Sequence, residues 1–213
     1  MTRWQALGDR AIRFARPAVP ARAIVRAVRS WPGVVDVVVG AEDVAAYFGA
    51  AHVAHFGPAN IDTHGADALA DIDDRIRALD ELSDIDEPVR DHVLRVRYDG
   101  SDLEEVARTT GLSRDEVIAI HSAATYTVET IGFAPGFAYL AGLDARLELP
   151  RRATPRPRVP AGSVAIAGRQ SAVYPFDSPG GWHLIGSVVG VTMFDANGSL
   201  LALGDRVRFE VAP

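Results

Sequence analysis

The 213-residue sequence predicts an α+β protein, with a small N-terminal α/β sandwich over residues 1–88 and a closed β-barrel over residues 89–213. Two observations support this. Before Pro88, β-type stretches alternate with two stretches of helical periodicity. After Ser122 the helical periodicity ends, glycine and proline become frequent, and short β-type segments recur, which is typical of a compact barrel with functional loops.

The N-terminal part opens with alternating residues that predict a strand at 11–14, leaving a turn at Gly8 and Asp9. Residues 17–30 place Ala21, Ile24, Val25 and Val28 at helical spacing, and Trp31-Pro32-Gly33 ends that helix. The β-branched run at 34–39 predicts a buried strand. Further strands are predicted at 44–48 and 52–56, and an acidic-faced helix at 66–82.

The second part begins with a strand around residues 93–98 and continues with two short helices. Both helices start with the Ser-x-x-Glu pattern of a capping box, at Ser101 and at Ser113, and Gly111 stops the first one. The later strands are predicted at 125–131, 163–167, 184–185, 188–194 and 206–211.

Composition excludes several kinds of chemistry. The chain has no cysteine, which excludes disulfides, a thiolate nucleophile and cysteine-ligated metal. All 22 basic residues are arginine, so the chain has no lysine for a phosphate-binding P-loop or a Schiff base. A net charge of −6 argues against nucleic acid as a partner. No apolar run approaches the roughly 20 residues of a membrane span, and the N-terminus has no signal-peptide pattern. We therefore expect no membrane partner and a cytoplasmic location.

Chemistry concentrates between residues 121 and 182, and its first segment is Gly-Phe-Ala-Pro-Gly-Phe-Ala-Tyr-Leu at 132–140. The Pro-Gly pair predicts a type II turn, since glycine accepts the positive φ that this turn needs at its third position. The turn offers Phe133, Pro135, Gly136 and Tyr139 as substrate-binding candidates. The alternative is a tight turn that core aromatics hold in place.

The second segment, residues 151–160, contains four arginines and three prolines. Proline enforces an extended path, and a guanidinium matches a carboxylate or phosphate in two-pronged geometry. Arg152, Arg156 and Arg158 are therefore candidates for binding an anionic substrate. The alternative is a solvated charged surface.

The third segment is Ser-Pro-Gly-Gly-Trp at 178–182, where paired glycines let backbone N–H groups approach a ligand oxygen. Upstream, Gln170 and Tyr174 supply an amide and a phenol, and we take them as candidate catalytic groups. The predicted pocket comprises Phe133, Tyr139, Gln170, Tyr174 and the loop from Ser178 to Trp182, with Gly180 and Gly181 at its centre.

Histidines give weaker signals. His121 lies at the end of a predicted helix. Two roles are open for it: a charged imidazole that interacts with the helix dipole, or a catalytic group. We take it as the third catalytic candidate. A metal cluster of His52, His55, Asp62 and His64 is disfavoured, because residues three apart in a strand point to opposite faces. We predict no metal site.

Together the segments from 112 onward, including "TPRPRVPAGSVAIAGRQSAVYPFDSPGGWHLIG", closely resemble the family of 5-oxoprolinase B subunits, which also contains proteins called allophanate hydrolase subunit 1 and the sporulation-kinase inhibitor KipI. The resemblance is strong over residues 91–195 and looser before them. It implies a cyclophilin-like barrel and a heteromeric ATP-dependent amidohydrolase, which converts 5-oxoproline, ATP and water to glutamate, ADP and phosphate. It also implies a homologous partner, the C subunit (allophanate hydrolase subunit 2), and a third component, the A subunit. ATP would be bound with or by these partners.

Substrate identity stays open between 5-oxoproline, allophanate and another amide or lactam, because Arg169, Ser187, Ala134 and Ala138 depart from the family's pattern. Two other functions remain as alternatives. One is a regulatory binding protein that inhibits a sensor histidine kinase, as KipI does. The other is half of a biotin-dependent carboxyltransferase, as in the related domain of urea carboxylases.

Overall fold

The computed structural model describes residues 3–49, 71–82 and 89–213, and the chain divides into two units, Met1–Glu87 and Pro88–Pro213. Several sequence predictions lie outside the described residues. They are the strand at 52–56, the first part of the helix at 66–82, and the disfavoured metal ligands His52, His55, Asp62 and His64.

In the described residues of the N-terminal unit, the strands form one antiparallel sheet. Its strands are β1 Trp4–Leu7, β2 Ala11–Ala15, β3 Val34–Val39 and β4 Asp43–Phe48, and its helices are α1 Ala21–Arg29 and α2 Ile72–Leu79. The four strands lie in the order β1-β2-β4-β3. The predicted strand after the Gly8-Asp9 turn is confirmed, because β1 and β2 pair as a hairpin around it.

Helix α1 buries Ala21, Ile24 and Val28 on the predicted apolar face. It begins four residues later than predicted, after Pro20, whose φ of −55° and ψ of 135° are not helical. A proline disfavours helical backbone in the residue before it, so Pro20 keeps Val19 out of the helix and α1 begins only at Ala21.

Strand β3 is not the buried strand that its β-branched run predicts. Val37 and Val39 are buried, but Val35 is 66% exposed and Val38 is 43% exposed. The strand lies at the edge of the sheet and α1 packs against it. A β-branched run fits a half-buried pleated surface as well as a fully buried one, so the sequence did not reveal the exposed face.

The C-terminal unit contains a closed barrel of seven strands. They are β5 Asp91–Arg97, β6 Thr125–Ile131, β7 Ala138–Ala141, β9 Ser163–Ala167, β10 Gln170–Val173, β12 His183–Val188 and β15 Arg206–Val211. Their order around the barrel is β10-β7-β6-β15-β5-β12-β9. Strands β5 and β15 are parallel, and the other neighbouring pairs are antiparallel. The predicted α+β class with a closed barrel is thereby confirmed.

Two small two-stranded sheets complete the strands described in this unit: β8 Arg156–Val159 pairs with β11 Ser178–Gly180, and β13 Phe194–Asp195 pairs with β14 Gly198–Ser199. The predicted strand at 188–194 is wrong over most of its length. Val188 ends β12, and Gly190 follows with a φ of +71°, which breaks an extended run.

Two helices precede β6: α3 Leu103–Thr110 and α4 Arg114–Ala123. The capping box at Ser113 is confirmed, since its hydroxyl accepts from the Glu116 amide at 3.2 Å and the Glu116 carboxylate accepts from the Ser113 amide at 2.7 Å. The capping box predicted at Ser101 is wrong. Asp102 occupies the N-cap of α3, and its side chain makes no capping hydrogen bond. In the described ranges the longest helix, α4, has 10 residues, and none is long and apolar enough to cross a bilayer.

The wall of the barrel formed by β9, β10 and β12 is buried on both faces. Val164 and Ile166 of β9 belong to the cluster that fills the interior, whereas Ala165 and Ala167 belong to a second cluster. Alternate residues of a strand point to opposite faces, so this second cluster lies on the outer side of the wall. Its other members are Phe137, Val159, Ala172, Tyr174, Trp182 and Leu184.

Candidate functional site

The outer cluster borders a cavity of about 270 Å³ that brings together all three predicted segments. Its volume lies just below the roughly 300–1,000 Å³ typical of drug-sized ligands, so it suits a small molecule. The lining residues are Phe133, Phe137, Tyr139, Arg151, Arg152, Pro155, Tyr174, Pro179, Gly180, Gly181 and Trp182.

A larger hollow of about 420 Å³ lies in the N-terminal unit, lined partly by Arg3, Arg13, Glu42 and Asp43. Four of its lining side chains are charged, and the Arg13 guanidinium already lies 3.5 Å from the Asp43 carboxylate. Because a small-molecule site is usually concave, mostly apolar and furnished with a few polar groups, the barrel cavity is the better candidate.

The turn before β7 shapes the first wall of the cavity. The amide of Phe137 donates to the Ala134 carbonyl at 3.0 Å and Gly136 has a φ of +75°, which confirms the predicted type II turn. A Cβ at Gly136 would lie 2.8 Å from the ring of Phe194. The glycine therefore lets the Phe194 ring pack against the turn, on a side that does not line the cavity. Pro135 and Gly136 form the turn and lie outside the lining.

Phe137 is the buried centre of an aromatic cluster. Its ring meets those of Phe133, Tyr139, Tyr174 and Trp182 edge-on, with centroids 5.0–5.9 Å apart. Edge-to-face packing at such distances is the favoured geometry of aromatic pairs. Phe133 differs from the others because it is 65% exposed and has a φ of +70°, which is uncommon for a bulky residue. The cavity therefore has a packed aromatic floor and one exposed ring.

Gly180, at the end of β11, allows Tyr174 to approach the backbone. A Cβ at Gly180 would lie 2.2 Å from the Tyr174 hydroxyl, so only glycine fits there without a shift. The backbone of Trp182 hydrogen-bonds the same phenol. Burial raises the pKa of Tyr174 and of Tyr139, so both phenols are neutral hydrogen-bond donors near pH 7.

The predicted arginines divide between the cavity and acidic partners. Arg152 lines the cavity, but its Nη1 donates to Asp102 at 3.2 Å and to Glu105 at 2.9 Å. Arg156 donates to the same oxygen of Asp102 and lies outside the lining. Arg158 pairs with Asp177 on the surface, with its side chain 77% exposed. Residues 156–159 also form β8, so the predicted extended segment is in part a paired strand.

Asp102 holds this arrangement together. It is 3% exposed, and its Oδ2 accepts from the amide of Leu184 at 2.7 Å. One carboxylate therefore ties the start of α3 to strand β12 and to two arginines. This tertiary demand explains why Asp102 does not cap its own helix.

Arg151 is the cationic lining residue that the sequence-based candidates omit. It is exposed, and its guanidinium carbon lies 5.9 Å from the centroid of the Trp182 ring. Phe137 and Pro155 are likewise absent from the predicted site, although all three residues belong to the predicted segments. A signal was available for Phe137, because its alternation with Tyr139 around the turn indicates an apolar wall.

His121 lies in the barrel interior, away from the cavity. It is 0% exposed, its Nδ1 is 2.7 Å from the Tyr98 hydroxyl and its Nε2 is 2.9 Å from the Ser171 hydroxyl. The ring stacks on Phe209. Burial lowers the pKa of His121 to about 3, so the idea of a charged imidazole interacting with the helix dipole is wrong.

Gln170 also lies outside the lining, although it shares the outer face of β10 with Ala172. It precedes Tyr174 by four residues, which at about 3.3 Å per residue places it roughly 13 Å away. Its amide donates to Glu129 at 3.3 Å. Ser178 is the remaining candidate outside the lining, and it pairs with Val159 at the start of β11.

The cavity is equipped to bind and orient a molecule. Among the described residues that line it, there is no carboxylate, imidazole or hydroxyl of serine or threonine to act as base or nucleophile. No three metal-ligating side chains converge within the described ranges. What the cavity offers is flat aromatic surface, two phenols, glycine backbone and two guanidiniums, of which that of Arg152 is already paired with acids.

Comparison with known proteins agrees with this architecture. The family model "carboxyltransferase domain, subdomain C and D" matches residues 3–203. The B subunit of the 5-oxoprolinase of Bacillus subtilis is 36% identical over 185 residues, which cover 84% of this chain and 76% of that protein. The B subunit of the 5-oxoprolinase of Haemophilus influenzae is 50% identical over 115 residues, 53% of this chain and 54% of that one.

Among solved structures, that of TTHA0988 matches with a TM-score of 0.71 and 36% identity, covering 96% of this chain. The present chain spans only 40% of the length of that chain. The family match covers most of the sequence and both described units, so the chain belongs to the carboxyltransferase domain, subdomain C and D, family, and its relatives include B subunits of 5-oxoprolinases.

Proposed function

We propose that this chain is one component of a heteromeric ATP-dependent enzyme that hydrolyses an amide bond, and that its substrate is 5-oxoproline. The observation that carries the proposal is the aromatic cavity, assembled from three segments of a chain whose relatives are named as B subunits of 5-oxoprolinase.

The chemistry of the cavity supports a small lactam. 5-Oxoproline is a compact five-membered ring with one lactam group and one carboxylate. The rings of Trp182, Tyr139 and Phe137 offer apolar surface to its ring, and the neutral phenols offer donors to its lactam oxygen. Pockets of this class combine apolar walls with a few placed polar groups.

The missing groups support a shared active site. Opening the lactam needs activation of its oxygen and attack by water, yet no carboxylate, imidazole, serine or threonine lines the cavity in the described part of the chain. We propose that the homologous C subunit and the A subunit complete the site, and that ATP binds with or through them. Each turnover breaks the lactam C–N bond with one water and cleaves ATP with a second. A reaction that consumes ATP fits the expected cytoplasmic location.

The test is reconstitution. The chain alone, the chain with the C subunit, and the chain with both the C and the A subunits are assayed for glutamate release from 5-oxoproline with and without ATP. We expect ATP-dependent release from the full assembly and none from the chain alone. Turnover by the lone chain would contradict the shared site, and a stable assembly without glutamate release would overturn the proposed function.

A site variant sharpens the assay. Replacing Trp182 by leucine removes a flat wall and should lower kcat/KM of the assembly at least about tenfold, because the lost ring is a main contact surface. Arg146→Gln is the matched control, since Arg146 is exposed, pairs with Asp144 and lies outside the lining. Both variants must co-purify with the partners as the wild type does.

A further inference from the structure

We infer that Arg151 is the residue of this cavity that recognises the anionic group of the ligand, and that the ligand is a small ring carrying one negative charge. The identity of the ring rests on the proposed function. The assignment of Arg151 rests on the charge balance of the cavity wall.

Two guanidiniums line this wall, those of Arg151 and Arg152, and a third guanidinium and two carboxylates lie beside Arg152. Asp102 accepts from Arg152 and Arg156, and Glu105 accepts from Arg152. One positive charge is left over. It resides on Arg151, which forms no hydrogen bond or ion pair with a carboxylate in the described part of the chain. An uncompensated guanidinium beside an apolar cavity favours a monoanionic ligand.

The position of Arg151 suits this role. Its guanidinium lies over the ring of Trp182, and its charge opposes the burial-driven rise in the pKa of both Tyr139 and Tyr174. Arg151 also lines the same cavity as the two phenols. A cation–π contact of this kind uses none of the N–H donors of the guanidinium, which stay available to meet a carboxylate with two hydrogen bonds.

The backbone on both sides of Arg151 is fixed. The carbonyl of Pro150 accepts from His183 Nε2 at 3.0 Å, and the amide of Arg152 donates to the Gly181 carbonyl at 2.7 Å. His183 is thus a positioning residue for Arg151. Fixing the backbone beforehand lowers the entropy cost of ordering the side chain on a ligand.

The experiment measures binding to the isolated full chain with two probes, 5-oxoproline and 2-pyrrolidinone, which has the same lactam ring without the carboxylate. Titration calorimetry compares the wild type, Arg151→Gln and the control Arg146→Gln, whose arginine pairs with Asp144 outside the cavity. We expect Arg151→Gln to weaken 5-oxoproline binding at least about tenfold, as for loss of a charge-assisted hydrogen bond. It should leave 2-pyrrolidinone binding unchanged, and Arg146→Gln should match the wild type with both probes.

Three results would overturn the assignment. They are unchanged 5-oxoproline binding in Arg151→Gln, an equal loss with both probes, or no measurable binding of 5-oxoproline to the wild type at millimolar concentration. Failure of the proposed function gives a different result. If binding depends on the carboxylate and on Arg151 but the assembly does not turn over 5-oxoproline, the proposed reaction is wrong and the assignment of Arg151 stands. If the assembly turns over 5-oxoproline and Arg151→Gln leaves KM unchanged, the proposed reaction stands and the assignment of Arg151 is wrong.

Discussion

Replacement of Asp102 should destabilise the barrel unit more than replacement of any surface acid. The carboxylate is 4% exposed and accepts from the Leu184 amide, from Arg152 and from Arg156. In Asp102→Ala, the Leu184 N–H stays buried without an acceptor, and both arginines lose their shared partner.

The magnitude follows from these contacts. An unsatisfied buried N–H costs about 1–3 kcal/mol, and removing one member of a fully buried ion pair costs about 3–5 kcal/mol. The side chains of Arg152 and Arg156 are 29% and 23% exposed, so water replaces part of the lost contact. We therefore expect a total loss of about 3–4 kcal/mol in the free energy of unfolding for Asp102→Ala. Asp102→Asn keeps an acceptor for Leu184 and should lose about 1–2 kcal/mol.

Urea unfolding measures the loss, and hydrogen exchange of peptides that contain Leu184 locates it. The matched control is Asp91→Ala, which removes an acid whose partner Arg206 is, like it, more than half exposed. Exposed ion pairs contribute at most about 1 kcal/mol. The reasoning is refuted if Asp102→Ala unfolds within about 1 kcal/mol of that control while Leu184 keeps its protection.

Three further predictions concern other positions. Gly180→Ala should cost about 1–3 kcal/mol of unfolding free energy, because its Cβ would lie 2.2 Å from the Tyr174 hydroxyl. Gly132→Ala, with nothing within 4 Å, is the control, and equal urea midpoints for the two variants would contradict this. Burial holds the pKa of His121 at about 3, below the ordinary 6.5, so the unfolded chain binds a proton that the folded chain does not between these values. His121 then contributes stability that is complete above pH 6.5 and is lost as the pH falls towards 3, by up to about 1.4 kcal/mol per pH unit. His121→Gln should flatten the dependence of the urea midpoint on pH between about 7 and 4, and parallel curves would argue against it. Ser113→Ala should cost about 1 kcal/mol in urea unfolding through loss of its capping box, and an unchanged midpoint would show that α4 does not need the cap.

Local pattern predicts the elements of this fold well wherever the neighbouring chain does not compete. The strands at 125–131, 163–167 and 206–211 occur as predicted, because β-branched and alternating residues serve both the strand and the barrel wall. Ser101 and Ser113 carry the same capping pattern, yet only Ser113 uses it. The difference comes from Leu184, a residue distant in sequence, because its amide donates a hydrogen bond to the Asp102 carboxylate.

The candidate site divides in the same way. Composition and turn chemistry locate the three segments that line the cavity, and the aromatic residues Phe133, Tyr139 and Trp182 lie in its wall as chosen. The sequence alone could not show which arginine is available to a ligand. It depends on which guanidinium meets an acid at the start of α3, some fifty residues earlier in the chain. Burial of His121 likewise depends on the closing of the barrel around it.

The arginines of residues 151–158 therefore serve two separate purposes. Arg152 and Arg156 are bound to a carboxylate that also holds β12, so a ligand that recruited either one would have to break hydrogen bonds that stabilise the fold. Arg151 is fixed through its backbone alone, and its guanidinium rests on Trp182. An anion can bind there without competing with Asp102. Stability and recognition thus use neighbouring residues of one segment, and this separation allows the recognition residue to be changed while the barrel remains folded.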